Sequence, residues 1–121
     1  MTDDSTVIDA DFTNVTAVET LTTTADKNLN ATLGTNAAAS GVVTVTFADT
    51  GASDSLVLAA GMTNAVTVNL DTDAAAGNSV VATAYTKTLT VAADATDLDT
   101  AATTITGGTS TADVLQVTGS A

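Results

Sequence analysis

One interval recurs along this chain and limits what it can fold into. Thr20, Thr44, Thr67 and Thr90 are separated by 24, 23 and 23 residues, and Leu21, Val45, Val68 and Val91 follow them at the same spacings. A turn-like pair appears once per interval: Thr13-Asn14, Thr35-Asn36, Thr63-Asn64 and Thr86-Lys87. Phe12, Met62 and Tyr85 occupy one equivalent slot, each just before the Thr of that pair. A period of this length is the signature of stacked repeats, each too small to bury its own apolar face.

The residues inside the interval favour strands. Val, Thr, Ile and Leu dominate the recurring segments Val7–Leu21, Asn30–Val45, Leu56–Val68 and Val80–Val91, and β-branched side chains suit a pleated sheet better than a helix. Val43 to Phe47 and Val66 to Leu70 alternate apolar with polar, the mark of a strand with one buried face. Breakers such as Gly51-Ala52-Ser53-Asp54, Ala76-Gly77-Asn78 and Gly107-Gly108-Thr109-Ser110 separate them. One period holds two strands of about four to seven residues and two turns. The expected fold is therefore all-β: a parallel β-solenoid, β-roll or β-helix-like, of about four to five coils, with residues 1–121 as a single domain. Equivalent residues would lie about 4.8 Å apart in neighbouring rungs. Phe12, Met62 and Tyr85 would share an internal column, interrupted by Gly34. The Ala-rich pieces Asn36–Ser40 and Asp73–Gly77 are too short for stable helices and read as loops or single turns. An immunoglobulin-like sandwich is the competing fold, but its strands would not repeat at this interval. Both chain ends fall at one phase of the repeat, so the chain reads either as an excerpt of a longer array, the favoured expectation, or as a unit that polymerises end to end.

Composition narrows the function. Fourteen Asp and Glu against two lysines, Lys27 and Lys87, give a formal charge of −12. Phosphate recognition needs a cationic surface, so nucleic acid is an unsuitable partner, and anionic membranes are equally disfavoured. With no His or Cys, a nucleophilic Ser or Thr lacks its usual base. Three aromatics cannot line a sugar cleft for a carboxylate pair. The expectation is no enzyme. No apolar run is long enough to cross a membrane, and the MTDDST start lacks signal-peptide character.

The segment Ile105 to Leu115, with Gly107-Gly108 and Asp113, resembles the Gly-Gly-x-Gly-x-Asp repeat of RTX secreted proteins. It lacks the third glycine and has two additional residues before Asp113. The wider rhythm resembles bacterial surface-layer proteins and type I-secreted adhesins. That resemblance implies extracellular display at the bacterial surface, Ca²⁺-assisted folding and lattice or cell-contact roles.

Carboxylates supply the candidate sites. Asp9/Asp11, Asp71/Asp73 and Asp97/Asp99 are i, i+2 pairs, which in an extended segment face one way and suit one Ca²⁺. Asp71 and Asp97 lie 26 residues apart, close to one coil. Solvated loop carboxylates are the plainer reading. Asp54, Asn78 and Asp113 each precede a strand and would close turns by local hydrogen bonds, or else ligate metal. The candidate Ca²⁺ ligands are thus Asp54, Asp71, Asp73, Asp97, Asp99 and Asp113. The expected function is structural and non-catalytic: a surface-layer or adhesin module associating with copies of itself or flanking repeats, through solenoid edges or faces. The alternative is a module binding Ca²⁺ or a partner surface, either ice, through the Thr column, or glycan.

Overall fold

The computed structural model describes residues 4–23, 28–48, 53–70, 77–99 and 102–119. The β-branched segments form ten short strands: β1 (Ser5–Val7), β2 (Thr20–Thr22), β3 (Leu29–Leu33), β4 (Thr44–Thr46), β5 (Ser55–Leu58), β6 (Val66–Asn69), β7 (Ser79–Val81), β8 (Leu89–Ala93), β9 (Thr104–Thr106) and β10 (Val114–Val117). The protein is all-β, with two parallel sheets of five strands each. One has the order β1-β3-β5-β7-β9 and the other β10-β8-β6-β4-β2. The chain visits the sheets alternately, so each return adds a rung beside the last. Every pairing among the described strands is parallel, unlike the antiparallel pairing of an immunoglobulin sandwich.

Register follows the sequence interval. Thr20 pairs with Thr44, Thr44 with Thr67 and Thr67 with Thr90, while Leu21, Val45, Val68, Val91 and Leu115 form the adjacent column. The opposite sheet carries the matching column Val7, Ala31, Leu56, Val80 and Ile105. These two columns point inward. Val45, Val68, Leu56 and Val80 are fully buried, and with Leu33, Phe47, Leu58 and Leu70 they form one core. Period-two alternation leaves Thr44, Thr67 and Thr90 only partly covered on the outer side. None of the ten strands contains Asp, Glu, Lys or Arg. The charges described lie in the connections.

Several local expectations are corrected. The strands span three to five residues rather than four to seven, because the connections absorb their ends. Asp9–Phe12, expected to continue a strand, is a 3-10 turn. Asn36–Ser40, read as a loop or single turn, lies in a six-residue α-helix, Thr35–Ser40 (α1), and Ala95–Asp99 is a second (α2); most of Asp73–Gly77 lies outside the described residues. Gly41 ends α1 at φ 110, with its N–H on the Ala38 carbonyl and the Val42 N–H on Ala37. This is a Schellman ending that favours glycine. Phe12, Met62 and Tyr85 are all buried in the one core. Gly34 sits against Asp9 instead, where an added Cβ would lie 3.1 Å from Asp9 Cγ.

The alternation can be tested at adjacent residues. Leu56 is fully buried and Val57 is 36% exposed. Leu56→Ala should lose about 2–5 kcal/mol of unfolding free energy, and Val57→Ala no more than about 0.5–1 kcal/mol, measured by chemical denaturation.

Candidate functional site

The polar groups that matter lie where strands end, since a turn exposes N–H groups that the sheet ladder no longer satisfies. Asp54 precedes β5 and is buried. Its Oδ1 accepts the Leu29 N–H at 2.6 Å, from the rung before, while its own N–H donates to Asn78 Oδ1 at 2.8 Å, in the rung after. Asn28 behaves likewise, accepting the Ser53 N–H at 2.9 Å and donating its N–H to Asp4 Oδ1 at 3.2 Å. These hydrogen bonds span a whole rung, beyond the local turn closure expected of Asp54 and Asn78. The same chemistry recurs at Asp113, whose Oδ1 accepts the Leu89 N–H at 3.0 Å and whose Oδ2 accepts the nearby Gly108 N–H at 2.8 Å.

Asp9 shows the arrangement most fully. Oδ1 accepts the N–H groups of Gly34 and Ala37 at 2.8 and 2.9 Å, and Oδ2 accepts that of Asn36 at 3.1 Å. These include orphan donors at the start of α1, so a side chain of the preceding rung caps a helix that has no side-chain cap of its own. At the other end, Asn64 Nδ2 from the following rung donates to the carbonyls of Ala38 and Val42 at 2.9 and 3.1 Å. Burial alone would raise the Asp9 pKa. The N–H groups of Ala37, Asn36 and Gly34 outweigh it and hold the carboxyl below its ordinary value.

Asp97 and Asp99 do not act as a pair. They lie on α2, where residues two apart face different ways, and Asp97 is buried while Asp99 is exposed. Asp97 Oδ2 accepts the Asp94 N–H and Asp94 Oδ1 accepts the Asp97 N–H, both at 2.9 Å, a reciprocal cap that starts the helix. Hydrogen bonds from the Thr96 hydroxyl and the Asp97 N–H lower the Asp94 pKa. Asp11 likewise turns back to its own segment, accepting the Ile8 N–H at 2.9 Å. Asp71 and Asp73 lie outside the described residues. Among the described residues, no three carboxylates converge into a group able to hold a metal ion. Of the described candidates, Asp54, Asp97 and Asp113 accept backbone N–H groups.

Sequence reasoning missed Tyr85, Asn64 and Asp9 as links between rungs. The Tyr85 hydroxyl donates to the Asn64 and Thr88 carbonyls. Burial, with the Asp113 charge adding to it, pushes the phenol up to about 12. The available signal was the polar tip of an otherwise apolar column.

A different feature marks the last rung. Leu89, Val91, Ile105, Gly107, Asp113, Val114 and Leu115 line an open cavity of about 290 Å³. Leu115 continues the buried Val91 column yet is 51% exposed, and Val114 and Val117 are 48% and 55% exposed. No helix among the described residues is long and apolar enough to cross a membrane.

Two measurements check these assignments. Asp54→Ala leaves the buried Leu29 N–H without its acceptor and should cost about 1–3 kcal/mol, equally with and without a chelator in the denaturation buffer. Asp9→Asn turns an amide NH₂ toward a backbone donor and should cost about 1 kcal/mol at neutral pH. Because the folded-state pKa of Asp9 is depressed, its contribution is present above the ordinary value of 3.8 and lost below it. The stability gap between wild type and Asp9→Asn should therefore close as pH falls through that range. No protein-family model, curated protein or solved structure matches the chain.

Proposed function

We propose that the chain is a parallel β-solenoid segment serving as a non-catalytic structural module of an extracellular bacterial surface-layer or adhesin protein. The observation that carries this reading is the unbroken in-register stacking of Thr20, Thr44, Thr67 and Thr90, with the apolar column beside it. Five rungs of one pattern make an element that extends along a single axis, with stability built from nearest-neighbour contacts. Such an element suits spacing, display and lateral packing. The Asp and Asn side chains at the turns join rung to rung. Acidic connections around uncharged sheets suit a soluble module in a crowded external layer.

The resemblance of the Gly107 to Leu115 segment to secreted repeat proteins supports the extracellular placement. A surface-binding role through the outward Thr row is less well supported, because the second hydroxyl column, Thr22 and Thr46, gives way to Asn69 and Ala92.

Antibodies raised against the folded chain provide the test. They should label intact source cells without permeabilisation and lose their target when surface protein is stripped. Labelling confined to permeabilised cells would overturn the extracellular assignment.

A further inference from the structure

We propose that α1 is an acid-sensitive latch: protonation of Asp9 lets Thr35–Ser40 open as one unit while both sheets stay paired. The inference is independent of the structural role above and rests on the connection between β3 and β4.

α1 has little apolar grip of its own. Of its six residues only Ala37 and Ser40 are buried, and a helix this short does not persist by itself. What fixes it is polar and comes from the neighbouring rungs. Asp9 accepts the N–H groups of Gly34, Asn36 and Ala37 on one side, and Asn64 holds the Ala38 and Val42 carbonyls on the other. The strands, in contrast, bury Leu33, Val45, Leu56 and Val68 completely. Segments with few buried apolar contacts sit at the low end of local stability and open before the core does.

The charge in this contact comes from one group. Asp11, on the same turn, accepts the Ile8 N–H instead. β1, β3, α1 and residues 59–65 of the following rung carry no titratable side chain. Glu19 sits at the far end, where its Oε1 would be 3.8 Å from a Cβ on Gly41. Protonating Asp9 removes the charge from three hydrogen bonds at once and turns one acceptor oxygen into a hydroxyl. The carboxyl is held below its ordinary value of 3.8, so the latch is closed at neutral pH and weakens as pH falls through the lowered value. α1 packs against the Asp9–Phe12 turn, so its release uncovers that corner of the stack.

Amide hydrogen exchange followed residue by residue by NMR tests this, with protection corrected for the intrinsic pH dependence of exchange. The informative N–H groups are those of Ala38, Gly41 and Val42, which bond to the Gly34, Ala38 and Ala37 carbonyls and not to Asp9. In wild type, acidification should cut their protection by about tenfold or more, together with that of Gly34, Asn36 and Ala37, a shift that losing hydrogen bonds to a charged group readily produces. Leu70 and Ala82, bonded to the Ala92 and Thr106 carbonyls, should keep theirs. Asp9→Asn should show the open pattern already at neutral pH, and Asn64→Ala should move the opening to higher pH. Loss confined to Gly34, Asn36 and Ala37 would reduce Asp9 to a simple cap and overturn the latch. Equal loss at Leu70 and Ala82 would overturn it too, since the whole stack would then be melting. If Asp9→Asn does not fold, the wild-type acid series decides alone.

Discussion

The whole structure depends on parallel pairing between residues of the same kind one rung apart. When Val lies on Val and Thr on Thr, one register satisfies the backbone ladder, the inward packing and the outward hydroxyl row together. A slip of one residue would turn Val45, Val68 and Val91 outward and bring threonines into the core. The narrow residue repertoire is a consequence. With only three aromatics in the chain, packing relies on many modest side chains repeated at one spacing. Phe12, Met62, Tyr85 and Phe47 belong to the same core.

Regular pairing leaves a problem at the turns, where N–H groups leave the ladder inside a protein only two sheets thick. The chain answers with Asp and Asn side chains that reach across to the neighbouring rung. Asp9, Asn28, Asp54, Asn64, Asn78 and Asp113 each join segments of different rungs. α1 illustrates the dependence: six residues are too few for a helix to persist alone, and it is held from the rung before by Asp9 and from the rung after by Asn64. Gly108 lies equally close, since a Cβ there would come 2.3 Å from the Tyr85 carbonyl oxygen. Much of the acidity among the described residues is thereby structural, because these carboxylates act as acceptors within the stack.

Confining charge to the connections leaves the sheets neutral, including the strands at both ends. An open cavity lies beside Leu115 at the β10 edge, where Val114 and Val117 are half-exposed.

The sequence by itself determined the strand content, the one-rung interval, the Thr and Val columns and the inward or outward direction of their side chains. All of these follow from short-range alternation and an exact recurrence of residue types. Only the tertiary structure decided which polar residues serve which turn. Asp9 and Asp11, or Asp97 and Asp99, look like cation pairs in an extended chain, yet a 3-10 turn and a helix separate their directions. Asp54 bonds to Leu29 from 25 residues away. A side chain's partner across a rung depends on how each connection folds, and connection length and conformation vary where the strands do not.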